Sequence, residues 1–270
     1  MFKSIAYVIK ENINNLYRIF CIAKYELLAD MRDSRFGLFW NFASPTIQVF
    51  TYWLVFGIGM NRKGYDGVSY LPWAIVGFSV WWFIQPCITN GCSAVFSKIN
   101  VITKMKFPVS ILPATVVLKE FFNHLFMMII AFVVVIAFGF YPNLYWLGII
   151  YYAFCTFMFA EALALITSVL TMLWRDVKKF VVSMMRMLLY LSPILWPAAF
   201  SKKNWTFMTY ILKLNPIYYL VTGYRDSLLF GKPITAHPVM ALYFWCLVII
   251  LFAVGSVLMY RFKRKMIDMI

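Results

Sequence analysis

Acidic side chains are scarce here. Ten Asp and Glu stand against 25 Lys and Arg, and histidine occurs only twice. With no close Cys/His cluster, no zinc site can be read. Paired carboxylates or a histidine near an interface, which a membrane-embedded transferase needs, reduce to one candidate, Glu120 with His124. The five cysteines, Cys21, Cys87, Cys92, Cys155 and Cys246, are scattered. Free, buried thiols are expected, without disulfides. A phosphate loop is missing too. The nearest approach, Gly59-x4-Gly64, continues into Tyr65-Asp66 instead of Lys-Ser/Thr. Any ATP-driven activity therefore needs a second protein. No internal repeat is visible, which argues against an inverted-repeat secondary transporter. No cleavable signal peptide is evident, because charges recur through the first 36 residues.

What is abundant is apolar surface. Of 270 residues 63% are hydrophobic, and mean hydropathy is +0.79. A soluble core does not need that much, so the chain reads as a polytopic membrane protein. Runs such as LFMMIIAFVVVIAFGF are apolar on every face and exclude a β-barrel. The expected fold is all-α, with six transmembrane helices at about 37–60, 70–92, 113–140, 145–173, 181–198 and 237–260. Pro86 marks an expected kink, and Pro113 an expected first helical residue. Residues 1–36 form an amphipathic segment, with Ile5, Val8, Ile13, Leu16, Ile19 and Phe20 at helical spacing. It reads as a cytoplasmic interface helix lying on the headgroups, ahead of a transmembrane domain at 37–270.

The stretch 187–233 is apolar but broken by Pro193, Pro197 and Pro216. Such backbone survives at membrane depth only where protein or water satisfies it. Residues 199–236 therefore read as re-entrant helices between spans 5 and 6, beside a transport path. Lys and Arg fix the orientation. With the N-terminus inside, 18 lie in inner segments and 7 in outer ones. Both termini are then cytoplasmic and the broken stretch is outside. The net charge of +15 thus serves orientation, and no nucleic-acid partner is expected.

Three further features carry functional expectations. Aromatics make up 20% of the chain. In span 1, Phe39, Phe42, Trp53 and Phe56 share one stripe and Phe36, Trp40 and Phe50 its neighbour. Most such rings serve packing, but a subset lining a path would hold sugar rings without strong fixed hydrogen bonds. Two inner links, SKINVITKMKFPVSILP and WRDVKK, have the charge and amphipathy of docking sites. Finally, Glu120, His124 and Glu161 are ionisable at membrane depth; they are too sparse for a proton relay.

The motifs Lys104-x-x-Phe107-Pro108 with Ile111-Leu112-Pro113, Arg175-Asp176-Val177, Ser192-Pro193-Ile194 with Pro197, Leu214-Asn215-Pro216 and Tyr224-Arg225 occur in that order. With six spans, this arrangement resembles the membrane subunit of ABC-2-type exporters, in the polysaccharide and teichoic acid branch, over essentially the whole chain. The resemblance is strongest to permeases for wall teichoic acid linked to undecaprenyl diphosphate; O-antigen, capsule, drug and lipid permeases are the alternatives. It implies a non-enzymatic bacterial cell-membrane subunit, a homodimer, acting with two copies of a separate ATPase that holds ATP and magnesium. It implies ATPase coupling through Lys98, Lys104, Lys106, Phe107, Pro108, Arg175 and Asp176. It also implies a path between spans 1 and 5, bringing in Tyr190 and Trp196 beside Phe36, Phe39, Trp40, Phe50 and Trp53. The outer rim would comprise Pro193, Pro197, Asn215, Pro216, Tyr218, Tyr219 and Arg225.

Overall fold

The structure is a computed structural model that describes residues 2–32, 36–59, 65, 67–102, 104, 107–196 and 211–268. Among these residues it is helical throughout; an isolated bridge between Tyr65 and Val68 is the one β-type pairing. Among the described residues, four helices are long and apolar enough to cross a membrane. They are α4 (Tyr70–Gly91), α6 (Ile111–Ala137), α7 (Gly148–Leu173, preceded by a 3-10 turn at Leu144–Leu147) and α10 (Pro238–Asp268).

The other two expected spans have α-helices of 16 residues each. α3 runs Gly37–Tyr52 and continues as a π-helix over Trp53–Gly59. α8 runs Asp176–Leu191, 16 residues. Its bounds correct the expected 181–198. The charged link that read as a loop is the first turn of the helix, with Asp176 at its N-terminus, where a carboxylate suits the helix dipole. The helix stops at Leu191 because Ser192 precedes a proline and adopts extended backbone, φ −88°, ψ 151°.

The N-terminal segment is two helices, α1 (Phe2–Asn14) and α2 (Leu16–Arg32), not one. Asparagines sit at the break. Asn12 and Asn15 turn their amides onto the Val8 and Glu11 carbonyls, 2.9 and 2.7 Å away. Such local bonds compete with a continuous ladder. Pro113 is the third residue of α6, not the first, a position that still lies within the tolerant first turn. α4 continues through Pro86.

The core sits around α4, whose Trp73, Phe78, Trp81 and Ile84 are all buried. α6 and α7 pack beside it, and α10 packs along α7. That last approach is close enough to need Gly255: a Cβ there would come within 2.9 Å of the Leu165 Cβ. After the proline break, α9 (Pro216–Arg225) begins with Asn215 as its cap, the Asn215 Oδ1 accepting from the Ile217 N–H at 3.0 Å. Pro216 occupies the first helical position, where no N–H is needed. A π-turn at Asp226–Phe230 follows. Pro197, Lys106 and positions 199–210 of the expected re-entrant region lie outside the described residues.

All five cysteines are free; Cys87, Cys92 and Cys155 are buried, but Cys21 is half-buried and Cys246 exposed. The expectation of uniformly buried thiols was too broad: Cys246 lies on a face of α10 exposed among the described residues, and Cys21 on the amphipathic α2.

Candidate functional site

The two inner links, distant in sequence, meet in space. α4 ends in turns and a 3-10 segment, Phe96–Lys98, followed by the short α5 (Ile99–Ile102). The Arg175 guanidinium lies over the Phe96 ring at 5.1 Å, and the Lys178 Nζ donates to the Ser93 Oγ at 2.7 Å. Lys98 pairs with Glu26 of α2 at 2.7 Å, and Lys119 with Asp30 at 2.5 Å. Asp176 is highly exposed and, among the described residues, pairs with Lys179, its neighbour on the same helix. Lys104 is exposed, while Phe107 and Pro108 are half-buried. Of the expected coupling residues, Lys98 and Arg175 therefore share one surface. Lys178, from the WRDVKK link, completes it with Phe96 and Ser93, which had no signal of their own in the sequence.

Phe107 packs on a separate cluster with Val8, Val95, Val109 and Met259, joining the connector to α1 and α10. Glu11 ties that cluster together. It accepts from the Tyr7 hydroxyl at 2.5 Å and from the Ser110 hydroxyl. Burial, reinforced by the Glu11 carboxylate, pushes the Tyr7 phenol well above its usual range. The Lys263 ammonium stands over the Tyr7 and Tyr260 rings at 3.6 and 4.5 Å. Replacing Glu11 with Ala should loosen α1 by about 1–2 kcal/mol. Amide exchange across residues 2–14 should then run about 5–30-fold faster; exchange at the parent rate would refute this role.

At the opposite end of α8, Arg225 is not at a lip. It is buried, with 6% exposure, and faces inward. Its Nε donates to the Trp73 carbonyl (3.2 Å), Nη1 to Pro193 (2.6 Å) and Nη2 to Ile194 (3.0 Å). Its guanidinium carbon stands 3.4 Å over the Trp73 ring. The carbonyls freed by the break at Ser192–Pro193 need donors, and a planar fork supplies two at once. Gly77 makes the room: a Cβ there would meet the guanidinium, and would lie 3.4 Å from the Ile194 carbonyl. Tyr219 is buried as well, bonded to Tyr151 at 3.2 Å. Tyr218 is half-buried. The Asn215 amide donates to the Ser192 hydroxyl at 2.9 Å, so Pro193, Asn215 and Pro216 do belong to one assembly.

The path candidates are mostly on the outside of the single chain. Phe36, Phe39, Trp40, Phe50 and Tyr190 are all about half exposed or more. Trp196 bonds the Tyr190 carbonyl at 2.8 Å. Trp53 and Phe50 instead border an apolar groove of about 300 Å³ between α3, α4 and α6.

Glu120 and His124 share a helix face but not a bond. Glu120 accepts from Asn90 (3.0 Å) and Asn123 (2.9 Å). His124 is buried against Phe83 and bonds the Tyr224 hydroxyl at 3.0 Å. Glu120 and the His124 Nε2 thus have separate partners, while the buried His124 Nδ1 has none among the described residues. Glu161 is buried, and its Oε2 has no hydrogen-bond partner among the described residues.

The sequence has relatives among known permeases. The chain is 25% identical over 222 residues to an O-antigen export system permease protein RfbA of Myxococcus xanthus, covering 82% of this chain and 84% of that one. It is 24% identical over 259 residues to an O-antigen export system permease protein RfbA of Klebsiella pneumoniae, covering 94% and 97%. The family model for ABC-2 type transporters matches residues 17–229, from α2 to the π-turn after Arg225. A chain of apolar helices matched over that length is a multi-pass membrane protein of the ABC-2 type transporter family.

Proposed function

We propose that this chain is the membrane subunit of an ATP-driven exporter of lipid-linked polysaccharide. The meeting of the two inner links carries the reading. Arg175 on Phe96 and Lys178 on Ser93 make one surface from the connector and the start of α8. A partner pressing there would act on α4 and α8 together. The partner is a separate ATPase in two copies, holding ATP and magnesium. Two copies of this chain would set their exposed α3 and α8 aromatics around a central path, where ring faces let a glycan slide. Both termini lie in the cytoplasm, α1 and α2 rest on the headgroups, and the segment around α9 caps the outer side. Basic groups at the inner mouth attract the phosphate of the lipid carrier.

The sequence resemblance favours undecaprenyl-diphosphate-linked teichoic acid as cargo. The relatives' names favour O-antigen, which is the second reading. The transferase alternative rests on Glu120 and His124, whose hydrogen bonds run to separate partners, Asn90 and Tyr224.

Reconstitution with the ATPase in proteoliposomes tests the proposal. Hydrolysis should depend on this chain, and polymer export should depend on hydrolysis. Arg175→Ala and Phe107→Ala should each lower coupled export by about tenfold or more, the range for losing one buried or stacked contact at an interface. Undiminished export in both would sink the coupling assignment. Competition between teichoic acid and O-antigen carriers in the same vesicles separates the two cargoes.

A further inference from the structure

A polar pocket of about 200 Å³ opens where α2, the end of α4, the Phe96–Lys98 turn, α6 and α8 converge. Its lining includes Lys98, Lys119 and Lys178, but also Glu26 and Glu120. The ions sort into two groups. Lys98 is neutralised by Glu26, and Lys119 by Asp30. Two opposite charges remain, and each is held by uncharged partners. Lys178 has the Ser93 hydroxyl, while Glu120 has the Asn90 and Asn123 amides. Both side chains border the same pocket without neutralising each other, with the Ser97 and Thr115 side chains beside them.

Such a pocket matches a ligand that itself carries both signs. Its location fits a lipid headgroup. It lies at one end of two membrane-crossing helices, α4 and α6, and is walled by α2, an amphipathic helix. Polar pockets between spanning helices at that depth hold headgroups. Its size agrees: a void of about 150 Å³ holds a six-carbon ring, so this one takes a headgroup of roughly eight heavy atoms. A purely anionic headgroup would meet Glu120 with like charge.

We propose that this pocket binds a zwitterionic phosphoethanolamine headgroup. Its phosphate takes donors from Lys178 and Ser93, and its ammonium rests on Glu120. The site depends on neither the cargo nor the orientation given under the proposed function, since lipid retention is read on the purified chain.

Native mass spectrometry of the detergent-purified chain, titrated with dioleoyl phosphatidylethanolamine or dioleoyl phosphatidylglycerol, tests it without any substitution. The ethanolamine lipid should be retained at least about fivefold better, the gain of one charge-assisted hydrogen bond over a like-charge contact. Lys178→Gln and Glu120→Gln should each erase that preference, while Lys213→Gln, an exposed lysine remote in sequence, should keep it. Elution by size exclusion at the parent volume verifies the fold of each variant. Equal retention of the two lipids by the parent overturns the proposal. So does a preference that survives both substitutions, or displacement of the ethanolamine lipid by inorganic pyrophosphate, which would assign the pocket to a diphosphate.

Discussion

Replacing Arg225 with Met should lower the thermal midpoint of the purified chain by on the order of 10 °C. Arg225 serves three carbonyls, those of Trp73, Pro193 and Ile194. Leaving a buried acceptor unpaired costs about 1–3 kcal/mol each, and part of that sum is returned because a buried charge no longer has to be desolvated. The net expectation is about 3–5 kcal/mol, and about 2–4 °C accompanies each kcal/mol in chains of this size. Methionine fills similar volume, so a cavity does not confound the result. Arg225→Lys should fall between the two, since an ammonium keeps the charge but cannot fork. Tryptophan fluorescence of detergent-solubilised protein reads the midpoint. A methionine variant melting with the parent would show that the three bonds contribute nothing net.

The second large effect is expected two residues away in the same helix, at Gly223. A Cβ placed there would run into the ring of Tyr152. Tyr152 is buried in α7 and stacks edge-on against Tyr219 at 5.6 Å. Tyr219 bonds Tyr151, which accepts from the Trp245 indole at 3.0 Å. Displacing one ring therefore disturbs a chain that spans α7, α9 and α10. Overpacking a tight core costs about 1–3 kcal/mol, and a branched side chain against an aromatic ring should reach or pass the upper figure. Gly223→Val should thus yield little folded protein after mild heating, measured as the monodisperse fraction on size exclusion. Adding Tyr152→Ala should recover part of the loss, a coupling that a double-mutant cycle isolates. Equal survival of Gly223→Val and parent would mean that α9 and α7 do not meet closely.

The apolar helices were legible because a run of about 20 apolar residues has few alternatives, as α4, α6, α7 and α10 show. Boundaries were less so. The start of α8 was hidden because Arg175, Asp176, Lys178 and Lys179 look like a loop, when a helix end accepts such charges readily. The split at Asn15 turns on side-chain amides bonding the backbone, which periodicity does not reveal. At the inner links, Arg175 and Lys98 were readable by charge and motif, but their neighbours Phe96 and Ser93 became visible only through tertiary contact. Arg225 shows the limit most sharply. Near a proline break, an arginine reads equally well as an exposed lip or an internal donor. Its direction is settled by Gly77, in a different helix. One clue was available: carbonyls released by the break in an apolar stretch need donors, and Arg225 is a cation in the apolar helix that follows it.

α8 is fastened at both ends. Its first turn grips the connector through Arg175 and Lys178, and its last carbonyls' successors are clasped by Arg225. At 16 residues it is about 24 Å long. An object pinned at two points cannot swing freely; it transmits thrust along its axis. Under the proposed function, a displacement of the connector would therefore reach the far side of the bundle as a lengthwise push on the Pro193–Ile194 turn. α8 would then serve as a push-rod, its stroke set by how far the turn beside Trp73 can yield.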